Sequence, residues 1–377
     1  MRQWRRAGPL GPASLIARTL GRAAIVVAFT CPALAAEDPP SPPRYAPVLS
    51  AYLQVRHTDQ SDGSGEWALR RLKLMVDGGP GDGFRYHVQL IYKTNLHSST
   101  DHRVVLQDAF LVVPARRVSI KVGQFIPPFG LERFQPDATL LFTERSLVTN
   151  QMVVDGNIGT SFARDRGLEV DLAHGGWDAS AGLFQGAGAN MPSKGNGPLG
   201  VFRLGYGRAG TVRATSWSAR AGLAASDRHD RDMDLSAEFP GLARALVSRF
   251  AGLDRRMNAF LEGRVGRWRA QTELFRAWLT LEQGGGWTAQ GAYAQASVSL
   301  FAGAEIGARY EVFTPDVHRP TIPSVRQWDA AVTYALSKVP VRLWADYTGR
   351  GGGSQTAAHT WTLQAQWYPF RAVRVWR

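Results

Sequence analysis

Residues 84–94 read Phe84-Arg85-Tyr86-His87-Val88-Gln89-Leu90-Ile91-Tyr92-Lys93-Thr94, with an apolar side chain at every even position from 84 to 92 and a polar one at most odd positions. Period two is what a β-strand between two unlike environments requires. Phe84 and Tyr86 near one end of the apolar face and Tyr92 at the other suit a strand that crosses a bilayer with its rings at the two interfaces.

The same alternation recurs outward from there. Ser50–Arg56 sets Ala51, Leu53 and Val55 against Ser50, Tyr52, Gln54 and Arg56, and Leu69–Asp77 sets Leu72, Leu74 and Val76 against Arg71, Lys73 and Asp77. Further strands are expected at Val104–Val113, Val118–Phe125, Arg166–Ala173, Trp177–Gln185, Val201–Gly207, Trp217–Ala225 and Ala259–Val265. The series continues with Trp268–Leu281, Ala292–Leu300, Ile306–Phe313, Trp328–Leu336, Val339–Tyr347 and Thr360–Tyr368, sixteen in all. An even number returns both chain ends to one side of a membrane.

Connections alternate in length. Pro114–Arg117, His174–Gly176, Gly266-Arg267 and Ser337-Lys338 are short, whereas Asn95–Arg103, Ile126–Asp165, Gly186–Gly200, Ser226–Asn258 and Thr314–Gln327 are long. Short turns on one side and long loops on the other is the bacterial outer-membrane arrangement, which a soluble β-sandwich does not demand. Within the long loops, Leu242, Leu246, Phe250 and Leu253 recur near a helical period and predict a short helix over Gly241–Asp254. Gly349–Ser354 reads as a flexible loop tip.

Composition agrees with a barrel. The chain is 44% hydrophobic with 40 glycines in 377 residues. After residue 36 it nevertheless has no apolar run of the roughly 18 residues that mark a spanning helix. In a barrel only alternate residues face lipid, so the mean hydropathy stays modest.

At the N-terminus, Arg2, Arg5, Arg6, Arg18 and Arg22 precede an apolar run, Ala23–Phe29, and the small-residue site Ala33-Leu34-Ala35, so residues 1–36 read as a secretory signal peptide. Residues 37–47 are then a periplasmic lead, 48–370 the barrel, and 371–377 a short tail or the end of the last strand. Cys31 is the single cysteine, so the mature chain has no disulfide or thiolate ligand. Loss of five arginines and no acid takes the net charge from +13 to +8. That excess suits anions in a channel, though by itself it would equally suit nucleic acid or an anionic membrane surface.

Ile126–Asp165 is too long for a tight turn and too apolar to lie free in water, with Phe129, Leu131, Phe134, Leu140, Leu141, Phe142 and Leu147. Pro127-Pro128 stiffens its start and Gly130 permits a bend. It is expected to fold into the lumen as a constriction, the alternative being a lid packed on the surface. Val118, Ile120 and Val122 share one face of the strand before it, which turns Lys121 inward. A charge in a narrow, low-dielectric passage acts more strongly than one on an open surface. Arg70 or Arg71, Lys73, Arg85 and Lys93 lie on neighbouring strands, and Arg133, Arg145, Arg164 and Arg166 flank the loop; together they would make a basic track.

The ordered segments QDAF (107–110), IKVGQF (120–125), PPFGLE (127–132), TERS (143–146), RDRGLE (164–169) and LFQG (183–186) resemble the phosphate-selective porin O and P family, with looser echoes in RWRAQTEL (267–274), GARYEVF (307–313) and AVTYAL (331–336). The resemblance implies an all-β fold, a 16-stranded antiparallel transmembrane β-barrel with a long constriction loop folded into the lumen. It also implies a homotrimeric, anion-preferring porin in a Gram-negative outer membrane, with Lys121 and Arg145 matching family basic residues. Expected partners are small anions, possible phosphate or polyphosphate among them, outer-membrane lipid and the barrel-assembly machinery, but not nucleic acid. Two departures stand out: Gln124 occupies a place where some members carry arginine, and Tyr368-Pro369-Phe370 is followed by RAVRVWR where barrels usually end on an aromatic.

Neither a catalytic nor a cofactor motif emerges. His97 and His102 lack the context of a metal site, no nucleophile elbow occurs, and Gly81–Phe84 is a turn. No enzyme, metal or cofactor is expected. An outer-membrane barrel protease or phospholipase, and a non-transporting structural or adhesion barrel, are the competing readings.

Overall fold

Each strand bonds antiparallel to its chain neighbours, and the last bonds the first, so the sheet closes without an edge. The computed structural model describes residues 47–374, apart from 80–82, 95–101, 194–196, 244–247 and 353–354. The signal peptide, the lead up to residue 46, His97 and residues 375–377 lie outside the described residues. The sixteen strands are β1 (Val48–Gln60), β2 (Gly65–Gly78), β3 (Arg85–Tyr92), β4 (Val104–Ala115), β5 (Val118–Phe125), β6 (Asp165–His174), β7 (Trp177–Phe184) and β8 (Leu199–Val212), followed by β9 (Thr215–Asp234), β10 (Arg249–Val265), β11 (Trp268–Leu281), β12 (Gly286–Phe301), β13 (Ala304–Thr314), β14 (Val325–Ala335), β15 (Val341–Gly352) and β16 (Gln355–Arg374).

The two ends of the barrel differ as the loop lengths require. At one end β4–β5, β6–β7, β8–β9, β10–β11 and β12–β13 are joined by tight turns of two residues. Left-handed backbone at Arg116, Gly175, Gly176, Arg213, Ala214, Gly266 and Gly303 makes these turns, whose twist matches that of the flanking strands. At the other end lie the long loops. The outer face is apolar, with Leu72, Leu74, Val170, Leu223, Leu274 and Val332 among its exposed side chains. Aromatic rings flank that band: Trp177, Trp268, Phe301 and Tyr334 toward the short turns, Trp67, Trp328 and Trp361 toward the long loops. Polar side chains of opposite parity on the same strands, Lys73, Glu169 and Glu273 among them, are buried.

Two expectations about the long loops are corrected. The stretch read as a loop over Ser226–Asn258 is mostly strand, because β9 runs to Asp234 and β10 begins at Arg249. Apolar residues thin out there, yet alternation persists in charged form: Arg228 and Asp230 are buried while Asp227, His229 and Arg231 are exposed. The expected helix over Gly241–Asp254 is also displaced. Two four-residue helices occupy Leu235–Glu238 and Pro240–Ala243, residues 244–247 lie outside the described set, and Arg249–Asp254 pairs with β9. The helical spacing of Phe250 and Leu253 was coincidental with a period-two pattern in which Phe250, Gly252 and Asp254 are buried.

Of the RAVRVWR departure, Arg371–Arg374 is strand, the end of β16. Val373 opposes Leu49 and Arg374 opposes Val48, and at two register shifts on either side of the Ala51–Phe370 pair β16 carries one residue more than β1, beside Pro369, which has no N–H to give the ladder.

Leu274 sits near the middle of β11 on the exposed apolar face. Leu274→Arg should lower the unfolding free energy in lipid by about 2–4 kcal/mol if the site lies at the bilayer midplane. Urea titration in bilayers, followed by heat-modifiable gel migration, measures this; an unchanged midpoint would mean that this face does not meet lipid.

Candidate functional site: the 126–164 segment and the charged face it meets

Alternation gives β1 and β2 a buried polar face, and a register shift enlarges it. Gln54 opposes Arg71 but Val55 opposes Leu69, so Arg70 is an extra residue in β2. Such a bulge turns two successive side chains to one side. Arg70 and Arg71 are both buried and both reach the segment between β5 and β6, which answers which of the two faces inward.

That segment leaves β5 through Pro127-Pro128, with the Phe129 N–H donating to the Pro127 carbonyl at 2.7 Å. Gly130 follows at φ +84°, a left-handed conformation that strains any residue with a Cβ. The chain then turns onto Glu273 of β11, whose carboxylate accepts from the Leu131 and Glu132 N–H groups at 2.7 and 2.8 Å. Further along, Asp346 of β15 accepts from Thr143 N–H at 2.5 Å, Glu311 of β13 from Val148 N–H at 3.1 Å, and Glu238 from Ser161 N–H at 2.9 Å. Four carboxylates outside the segment thus satisfy backbone donors that have no ladder to join.

The motif residues bind one another. Glu132 accepts from the Ser146 N–H at 2.9 Å, and its carbonyl accepts from Arg145. Ser146 caps the helix α1 (Leu147–Met152) by accepting from the Thr149 N–H. Arg164 donates through Nε to both carboxylate oxygens of Asp108, at 3.1 and 3.0 Å. Asp165 accepts from the N–H groups of Arg166 and Gly186. PPFGLE with TERS, and QDAF with RDRG and LFQG, are two clasps. Apolar packing closes them: Phe129, Leu147, Val148, Met152 and Phe162 join Phe239, Phe275, Tyr293 and Phe313 in the buried cluster.

Of the basic residues picked from the sequence, Arg71, Lys73 and Arg145 converge on one carboxylate, Asp137, at 3.5, 2.7 and 2.9 Å. Burial alone would raise Asp137, but these three cations hold it well below the usual carboxylate range. Arg133 pairs with Asp155 at 3.1 Å. Asp155 too would be raised by burial, and Arg133, with smaller help from Lys93 and Arg164, holds it well below. Lys93 is buried. The other three sit apart. Lys121 faces the buried side as expected, but its ammonium lies 2.5 Å from Glu169 and over the Phe125 ring. Arg166 is exposed and donates to the Met191 carbonyl, and Arg85 is exposed near the start of β3.

The acids that neutralise this track pair with partners far along the chain, and several buried cations were not among the residues picked from the sequence. Glu144 binds Arg56 at 2.5 Å and Arg70 at 2.8 Å. Arg309 is buried among Glu132, Glu311 and Asp329, and Arg228 and Arg256 share Asp254. Parity within GARYEVF separates Arg309 and Glu311 from Tyr310, so the signal for their face was present. Nothing local signals their partners.

Cavities lie on both sides of the segment. Two, of about 250 and 290 Å³, share Thr143, Glu144, Arg145 and Asn150. The smaller has Arg70, Arg71, Lys93 and Arg145 against Asp137, Glu144 and Asp155. The third, about 640 Å³, lies toward the short turns; it reaches Gln135, Thr139 and Leu141 of the segment, with Arg220, Arg264 and Arg269 on the strands against Glu262 and Glu305. Among the described residues no His, Cys, Asp and Glu group could hold a metal ion.

Comparison with known structures returns outer-membrane barrels. OmpT of Vibrio cholerae superimposes with a TM-score of 0.58 at 11% identity, covering 87% of this chain and 99% of that one. An anion-selective porin from Comamonas acidovorans gives 0.58 at 12% identity, covering 86% and 99%. At such identities the likeness is one of fold. No curated relative matches the sequence. The family model described as phosphate-selective porin O and P matches residues 50–376, nearly the whole barrel. The chain belongs to the phosphate-selective porin O and P family.

Proposed function

We propose that this barrel is a passive outer-membrane channel for small anions, narrowed by the segment 126–165 lying in its lumen. The observation that carries the reading is the set of anchors just described. Residues on β1, β2, β11, β13 and β15, far apart around a closed sheet, all meet one segment through their polar faces. A segment on the lipid side would meet the apolar faces instead. With the short turns on the periplasmic side, a solute would pass from the two smaller cavities to the 640 Å³ one.

Anion preference is argued from charge balance. Cations exceed carboxylates by four to three around the smaller cavity, a narrow margin because Asp137, Glu144 and Asp155 neutralise much of the basic track. The residual field in a confined, poorly screened space favours anions without excluding cations. Strict phosphate selectivity fits less well, since Gln124 spends its side-chain amide on the Leu106 and Gln107 carbonyls and its oxygen on the Asn190 N–H. We read the protein as a channel and not an enzyme, exported by its N-terminal signal peptide, folded by the barrel-assembly machinery and assembled as a trimer. A trimer form is recorded for OmpT of Vibrio cholerae.

Single-channel recording in planar bilayers tests this. Deleting Pro136–Val154 should raise conductance several-fold and blunt selectivity in a barrel that still shows heat-modifiable migration; equal conductance would put the segment outside the passage.

Selectivity should respond to the Lys121 pair in both directions. Glu169→Gln removes the nearer of the two carboxylates at Lys121, leaving Asp171 at 4.0 Å, and should raise the chloride-to-potassium permeability ratio, whereas Lys121→Gln should lower it, each shift shrinking as salt rises. Arg116→Gln, in an exposed turn, is the control. Identical reversal potentials in all three would assign selectivity to diffuse net charge, and a wild type that prefers potassium would end the anion reading.

A further inference from the structure

Arg276 of β11 has the outward parity of Leu274 and, like it, is exposed, while Phe275 and Ala277 on either side of it are buried. It is a charge on the apolar, outward face of the barrel. Among the described residues its guanidinium meets no carboxylate, only the face of the Trp278 ring, 5.3 Å from the centroid. On the same strand Trp268 marks the short-turn edge of the apolar band, and Trp278 follows ten residues on. At about 3.4 Å per residue and a strand tilt of about 35–45°, Trp278 stands roughly 24–28 Å nearer the long loops, about the height of such a band. Arg276 therefore lies roughly 5 Å inside the outer edge, where an arginine needs a polar partner within reach of its stem.

A second guanidinium comes to the same place. Register sets Arg255 of β10 opposite Trp278 and Met257 opposite Arg276. Arg255 is thus the diagonal, same-face neighbour of Arg276, about 7–8 Å away between backbones. It is exposed, and it gives Nε to Asp227 of β9 at 2.8 Å. Further toward the loops, His229 and Glu282 face each other at 3.5 Å. At Asp227 the outer face is hollowed: an open groove of about 530 Å³ crosses β6–β9, lined mostly by apolar residues, among them Leu168, Leu183, Gly200, Phe202 and Ala225. Two guanidiniums with one carboxylate between them, an aromatic edge and an apolar groove adjoin on one outward face.

We propose that this face holds one phosphate-bearing lipid of the leaflet at the long-loop end, its phosphate oxygens accepting from Arg276 and Arg255 and one acyl chain lying in the groove across β6–β9. A phosphate has several strong acceptor oxygens and suits the planar fork of an arginine, and the headgroup plane is where an outward arginine finds one. The groove commits the ligand to a lipid, because it continues the charged patch into apolar surface that a chain covers and a free anion does not. The site lies outside the sheet, so it stands whether or not the lumen conducts.

Native mass spectrometry of the detergent-purified protein tests this, with dimyristoyl phosphatidic acid as one probe and dimyristoylglycerol, which has the same chains and no phosphate, as the other. Phosphatidic acid should be retained at one copy per chain in preference to the diacylglycerol, and Arg276→Gln should weaken that retention about fivefold. Gly200→Leu fills the groove, where a Cβ would meet only the Asp227 carbonyl oxygen at 3.8 Å, and should weaken retention with both arginines in place. Should Arg276→Gln fail to fold, judged by heat-modifiable migration, Arg255→Gln carries the same test. Equal retention of the two lipids by the wild type, or retention unmoved by the arginine variant that folds, overturns the proposal. Unchanged retention in Gly200→Leu, or displacement of the lipid by equimolar inorganic phosphate, would reduce the site to an anion patch without a chain and overturns it as well.

Discussion

The structure depends on one constraint: an irregular segment of about 40 residues has been folded against a closed sheet, and its backbone donors cannot find partners in that sheet. Strand ladders are complete around the barrel, so side chains must serve. Glu273, Asp346, Glu311 and Glu238 do so by accepting N–H bonds from residues 131, 132, 143, 148 and 161. Burying four carboxylates is expensive, and the cost is offset only because each is hydrogen-bonded or faces a cation such as Arg309 or Arg228.

The same requirement accounts for the motifs. PPFGLE and TERS occur together because the Glu132 carboxylate accepts from the Ser146 N–H while the Glu132 carbonyl accepts from the Arg145 guanidinium. RDRG and QDAF occur together because Arg164 needs Asp108. Motif arginines are therefore positioned first to hold the segment. On the channel proposed above, their field on a solute would be what remains after Asp137 and Glu144 of the segment and Asp108 of β4 are subtracted, so the acids would weigh in it as much as the bases.

Most of the barrel is legible in the sequence. β5 and β11 have the boundaries read from alternation alone, and Lys121 faces the side its parity assigns. Errors gathered above the apolar band, in β9 and β10, where both faces are polar and alternation survives only as buried against exposed charge. The Arg70 bulge was illegible for another reason: a one-residue insertion in β2 shows itself only against the register of β1.

By itself the sequence determined the period-two strands, their even number, the asymmetry of turns and loops, and a segment too apolar to stay in water, because these follow from local side-chain polarity. Tertiary structure alone decided the partners. Lys121 meets Glu169, 48 positions on, and Arg309 meets Glu132, 177 positions back. Parity fixes the face on which a charge lies. Which opposite charge it meets depends on strand register and on the path of a long loop packed against the sheet, and those distances are not written in any local pattern.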